Sequence, residues 1–177
     1  MANISYHVPV AEWLFRNTQS SWLWLIVRLY VGWVWLSAGW GKFNNPAWVG
    51  SEAGNAMSGF VEGALAKAGG AHPAVQGWYA AFLEVCVQPY PELWAHLITY
   101  GEMLVGAALI LGVLAGAAAF FGIFMNLNFL SAGTTSTNPQ LLVLGLFLLL
   151  AWRVAGWWGI DRYLLPKLGW LKRPQST

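Results

Sequence analysis

The sequence predicts an all-α integral membrane fold: an antiparallel four-helix bundle with short amphipathic interfacial helices between spans one and two. Composition is the first observation. The 177 residues are 58 % hydrophobic and only 9 % charged, whereas a soluble domain carries roughly 25 % charged residues. The second is the set of apolar stretches at 22–41, 93–113, 115–132 and 139–158, close to the ~20 residues that cross a bilayer as a helix. The third is the placement of Trp. There are 13, and most flank apolar runs (Trp22, Trp24, Trp40, Trp94, Trp157, Trp158), where headgroup-level anchors belong. Residues 1–177 read as one domain.

Residues 1–20 form an amphiphilic lead-in (Trp13, Leu14, Phe15, Arg16) suited to the interface. They are too mixed and polar for a removable signal peptide. In span one, Arg28, Gly32, Trp35, Gly39 and Lys42 recur at spacings of three and four, which puts them on one helix face. Gly32 and Gly39 let a second helix approach closely along that face. Residues 43–90 are too broken to span. They predict two short amphipathic helices roofing the bundle, one with the stripe Ala56, Met57, Phe60, Val61, Ala64, Leu65, the other with Val75, Trp78, Tyr79, Phe82, Cys86. Most of the charges there (Glu52, Glu62, Lys67, Glu84, Glu92) read as a solvated face. Cys86, the one cysteine, excludes an internal disulfide and reads as a small packed hydrophobe.

Span two carries Glu102 near its middle. A carboxylate at that depth costs several kcal/mol unless it faces the bundle interior with a partner or is protonated. It reads as a structural tie to another helix or as a functional group. His96 lies near the outer end, as an interfacial imidazole or a ligand. Span three brings Asn126 to the depth of Glu102, as interhelical glue or chemistry. The loop Gly133-Thr-Thr-Ser-Thr-Asn-Pro139 is a cluster of hydroxyls and a turn. Arg153, near the end of span four, sits at about the depth of Arg28. Lys42, Arg28 and Arg153 either snorkel or face a ligand. Arg16 before span one, and Arg162, Lys167, Lys172 and Arg173 after span four, predict both termini on the cytoplasmic side. The expected location is the cell membrane, crossed several times.

The inward inventory is therefore Arg28, Lys42, Glu102 and Asn126, with Arg153 or His96. No two His residues fall at matching depth for haem ligation, no carboxylate/His set suits a metal, and no flavin or nucleotide motif occurs. A formal charge of +2 gives no basis for nucleic-acid partners. Redox work would use a diffusible, membrane-soluble carrier or a partner subunit. A quinone suits: its carbonyl oxygens need donors and a nearby acid, and Glu102 with Asn126 and an Arg supply them. An Arg–Glu lock between helices uses the same residues.

Arg28-Leu-Tyr-Val-Gly32 leading to Ala38-Gly39-Trp-Gly-Lys42, Gly101-Glu102-Met-Leu-Val-Gly106 followed by Leu111-Gly112, the Ala132–Pro139 loop and the closing Ala151–Asp161 stretch resemble the DoxX/DoxD family over about residues 22–165. The resemblance implies a four-helix membrane fold and quinone-linked oxidation. The DoxD branch is similar to the membrane subunit of thiosulfate:quinone oxidoreductase, which joins two thiosulfates as tetrathionate and passes electrons to quinone. Arg28, Gly39, Lys42, Glu102 and Asp161 match the motif positions. In that reading Glu102 and Arg28 are catalytic. Lys42 and the Thr134–Asn138 loop bind the anion, and Asn126, Arg153 and His96 are further substrate contacts. The usual partner subunit, DoxA, is not fused to the chain, so the alternative is a non-catalytic accessory or scaffold subunit of a larger membrane complex. A partner redox subunit or a homo-oligomer fits either reading.

Overall fold

The computed structural model describes residues 8–170. Among these the fold is all-helical. The helices are α1 (Pro9–Arg16), α2 (Ser21–Phe43), α3 (Asn55–Leu65), α4 (Gly77–Phe82), α5 (Pro91–Leu111), α6 (Ala115–Ser131), α7 (Asn138–Leu150), α8 (Trp152–Ala155) and α9 (Asp161–Lys167). Two segments, Thr18–Phe43 and Pro91–Leu111, are long and apolar enough to cross a membrane.

α2 and α5 lie antiparallel and nearly touch. A Cβ on Gly32 would stand 2.9 Å from Ile110 and 3.0 Å from the Gly106 carbonyl, and one on Gly39 would meet Met103 at 2.7 Å. Gly106 returns the contact, its missing Cβ facing the backbone of Leu36. These glycines occupy the predicted face, which also buries Trp24, Arg28, Val31 and Trp35. α6 packs antiparallel to α5, with Gly122 against Val105 and Gly101 against Met125. α7 in turn runs antiparallel to α6, with Gly145 on Ile123. Trp24, Val31, Trp35, Val105, Leu109 and Leu148 lie in the core that these helices enclose.

A second core lies at the end where α2 finishes and α5 begins. There α3 buries Met57, Val61 and Ala64, as its stripe predicts. The partner segment differs from expectation. α4 continues into a π-helical turn over Leu83–Val87. Of the predicted stripe, Val75 and Tyr79 are buried and Phe82 half-buried while Trp78 is exposed; beyond Phe82 the wider turn puts Leu83 and Val87 inside and leaves Cys86 exposed. Glu52, Glu62, Lys67, Glu84 and Glu92 are all exposed.

The fourth apolar stretch also departs from expectation. No strong breaker interrupts 139–158, yet α7 stops at Leu150 and only the single turn of α8 follows. The reason is a contact distant in sequence. Ile160 and Asp161 donate their backbone N–H groups to the carbonyls of Leu111 and Gly112, at 3.2 and 2.8 Å. The chain must leave the helix to reach them.

Asp161 then caps α6: its carboxylate oxygens accept from the N–H groups of Leu114 (2.6 Å) and Ala115 (2.8 Å). Leu114 has φ +46°, a left-handed conformation costing about 1–2 kcal/mol for a non-glycine residue, and this cap holds it there. Burial pushes the Asp161 carboxyl above its ordinary range, opposed by the two N–H groups and by the Arg28 guanidinium. With a raised folded value, the group's contribution to stability is complete below about pH 4 and declines as pH rises through that value. Asp161→Ala orphans both buried N–H groups and is expected to cost about 2–4 kcal/mol. Thermal melts in detergent check the loss, together with the disappearance of this pH slope; a shift under about 1 kcal/mol would deny the cap its role.

Candidate functional site

Glu102 is 2 % exposed on α5, and its Oε2 accepts from Lys42 Nζ at 2.7 Å. Close packing at Gly39 makes this reach possible, because it brings the last turn of α2 against the middle of α5. Lys42 also lies over the Trp48 ring, 5.2 Å from its centroid. The ammonium thus bridges the buried carboxylate and the loop that follows α2. Thr99, one turn from Glu102, is fully buried and donates to the Ala95 carbonyl at 2.8 Å.

Asn126 is 1 % exposed, and among the described residues neither its amide nitrogen nor its oxygen has a hydrogen-bond partner. The pairing of Gly101 with Met125 and of Val105 with Gly122 places it at the depth of Glu102, as the count from the helix ends predicts. An unsatisfied buried amide costs about 1–3 kcal/mol, and such a group is a common mark of a site.

Arg28 is not brought to Glu102. It is 1 % exposed and donates from Nη2 to the Trp158 carbonyl at 3.1 Å. Its Nη1 crowds the Cα of Gly112, where a Cβ would collide with the guanidinium. Gly112 is ten residues beyond Glu102, about 15 Å along the helix. The lock on Glu102 is therefore a lysine, and Arg28 belongs with Asp161 at the opposite end.

Arg153 is exposed, its guanidinium 5.1 Å from the centroid of Trp152, beside α1. His96 is half-buried and stacks on Tyr100 at 6.1 Å. Neither contacts the Lys42–Glu102 pair. At the hydroxyl-rich loop the structure places another cation, Lys67, whose Nζ donates to the Gly133 carbonyl at 3.1 Å. Lys42 is held instead between Glu102 and Trp48.

The family model described as "TQO small subunit DoxD" matches residues 23–175. The chain belongs to the DoxD family. No curated protein and no solved structure matches it. The match runs from the third residue of α2 through α9, and so takes in the Lys42–Glu102 pair at one end of the DoxD fold and Arg28 and Asp161 at the other.

One polar pair in this DoxD protein escapes sequence reasoning. Tyr79, in α4, donates its hydroxyl to Asn128 Oδ1 at 3.2 Å, and Asn128 Nδ2 donates to the Phe124 carbonyl at 2.8 Å. The signal was a second amide two residues after Asn126. Its partner lies 49 residues away; the stripe puts Tyr79 on a buried face, but periodicity does not say which side chain of another helix it meets. Burial pushes the Tyr79 phenol up to about 12, and the hydroxyl keeps its proton at any physiological pH.

Proposed function

We propose that this DoxD protein is the membrane subunit of a thiosulfate:quinone oxidoreductase. Four of its helices, α2, α5, α6 and α7, cross the cell membrane as an antiparallel bundle, with both termini cytoplasmic and α3 and α4 roofing the outer end. The observation that carries the reading is the ion pair that Lys42 makes with the buried Glu102 carboxylate beneath that roof. Such a pair is expensive to desolvate and a poor source of stability, and a proton-exchanging carboxylate is a use that justifies it.

Two thiosulfate dianions joined through a new sulfur–sulfur bond give tetrathionate and two electrons. The quinone takes those two electrons with two protons and leaves as quinol. Glu102 serves as the proton-holding group on α5, and Lys42 holds its negative charge when the proton is gone. The "small subunit" description in the family model favours a second, partner redox subunit that completes the thiosulfate site. Arg28, Arg153 and His96 lie outside the pair, so Arg28 acts at the cytoplasmic end as a structural cation opposite Asp161.

The test is thiosulfate-dependent reduction of a short-chain quinone by the protein purified with its partner subunit. The wild type is expected to turn over, and Glu102→Gln to lose about 100-fold or more, the scale of one positioned acid–base group, while eluting as a folded species. A wild-type complex that reduces no quinone with thiosulfate, or a Glu102→Gln complex at full rate, overturns the reading.

A further inference from the structure

Two cavities outside the Lys42–Glu102 pair lie side by side. The first is a chamber of about 100 Å³ between the roof and the α5–α6 pair, walled by Phe60, Tyr79, Phe82, Trp94, Asn128 and Phe129 among others. The second is a groove of about 580 Å³ along the outer seam of α5 and α6, lined by residues such as Gly101, Leu104, Ala108, Ala117 and Phe121. Trp94, Ile98, Phe124 and Met125 line both. The chamber therefore abuts the groove at these four side chains, and the groove opens along the seam onto the apolar surface of the helices. From Trp94 to Ala108 the groove follows α5 for about 21 Å.

We propose that chamber and groove join to form the seat of a prenylated quinone, with the ring in the Tyr79–Asn128 chamber and the isoprenoid tail in the α5–α6 groove. The inference rests on the quinone-linked reading and names the place where that substrate sits.

The chemistry of the walls selects such a ligand. Aromatic faces on several sides accept a flat ring by offset or edge contacts. Of the polar groups on the described lining residues, the Trp94 indole N–H is engaged by the Cys86 carbonyl, and Tyr79 and Asn128 form a pair that can serve both oxidation states. Asn128 Nδ2 uses one N–H on the Phe124 carbonyl and has a second N–H for a quinone carbonyl. The Tyr79 oxygen, already donating to Asn128, has lone pairs for the O–H of a quinol. Among the described residues no charged side chain lines the chamber, so a phosphate headgroup would enter without a cation from them, at a cost of several kcal/mol. A phospholipid therefore fits the groove and not its end.

Gly101 has a definite place here. A Cβ there meets only Met125 Sδ, at 3.5 Å, an ordinary contact, so a larger side chain would extend into the groove without disturbing the helix pair. Ile98, one turn from Glu102, lines both cavities, which sets the ring about a helical turn, roughly 5 Å, from the level of the carboxylate.

The experiment is direct binding, independent of any electron donor. Decyl-ubiquinone and its tail-less dimethoxy-methyl-benzoquinone are titrated into the full chain in detergent and in phospholipid nanodiscs, following Trp quenching. Tyr79→Phe is expected to weaken both ligands by about 5- to 10-fold, because without the phenol's hydrogen bond to Oδ1 the Asn128 amide is no longer held with its free N–H toward the quinone carbonyl. Gly101→Leu is expected to weaken the decyl compound by more than about tenfold, leaving the tail-less ring within about twofold. Circular dichroism and size-exclusion profiles matching the wild type establish that both variants fold, and a Phe121→Ala variant, which widens the groove, replaces Gly101→Leu if that one does not. Saturable binding untouched by Tyr79→Phe and by the groove variants, or removed by Glu102→Gln instead, overturns the seat while leaving the quinone-linked reading intact. Binding seen in detergent and abolished in nanodiscs makes the groove a lipid seat and also overturns it. No saturable binding of either compound to the wild type overturns both.

Discussion

Lys42→Met is expected to destabilise the protein by about 3 kcal/mol, the lower end of the cost of breaking a buried ion pair. The lower end applies because Lys42 is 21 % exposed, while Glu102 is 2 % exposed. With the ammonium gone, Glu102 has lost the partner at 2.7 Å and must bury an uncompensated charge or take up a proton. The reverse change is milder: after Glu102→Gln the Lys42 stem can carry its charge outward to water, so the loss is expected to stay near 1 kcal/mol. The double variant Lys42→Met/Glu102→Gln should recover most of the Lys42→Met loss, since a neutral amide needs no counter-charge. Thermal or denaturant melts of the three variants in one detergent complete the cycle. A Lys42→Met variant as stable as the wild type would mean that Glu102 is protonated and hydrogen-bonded rather than paired.

Gly106→Ala is expected to be worse still, with loss of the assembled helix pair. In an isolated helix this change gains about 1 kcal/mol. Here the new methyl would collide with Leu36, and the atoms it meets include the backbone nitrogen and the Cα, 2.7 Å away. Neither can move aside as a side-chain tip would, so α2 and α5 must separate. Their separation loosens the packing at Gly32 and Gly39 and draws Lys42 away from Glu102. The expected cost exceeds about 3 kcal/mol, at or beyond the usual range for overpacking. Gly41→Ala is the control, because nothing stands within 4 Å of its missing Cβ. Melts and size-exclusion profiles should show Gly41→Ala at or above wild type and Gly106→Ala largely unfolded or aggregated. Equal behaviour of the two would show that the α2–α5 approach is not what holds the fold.

Much of the helical framework was legible in the chain. The three- and four-residue spacing of Arg28, Gly32, Trp35 and Gly39 describes one face, and that face is buried against α5 because small residues admit a neighbouring backbone. The α3 stripe was legible for the same reason, and so were Glu102 as a buried carboxylate and Asn126 at its depth. The second stripe holds at Val75, Tyr79 and Phe82 and fails at Trp78 and Cys86; Leu83 and Val87 are buried in place of Cys86 because a π-helical turn changes the period there. The end of α7 is not legible locally because the groups that stop it, the carbonyls of Leu111 and Gly112, lie about forty residues before it.

The sequence by itself determined that these segments are helices, which faces are apolar, and that a carboxylate must be buried among them, because periodicity and burial cost are local properties of a helix. Only the tertiary structure decided the partners. Glu102 takes Lys42 rather than Arg28, Asp161 caps α6, and Tyr79 finds Asn128. Each choice depends on how closely two backbones approach and how far each helix runs before it breaks, and those distances are set by packing among residues far apart in the chain.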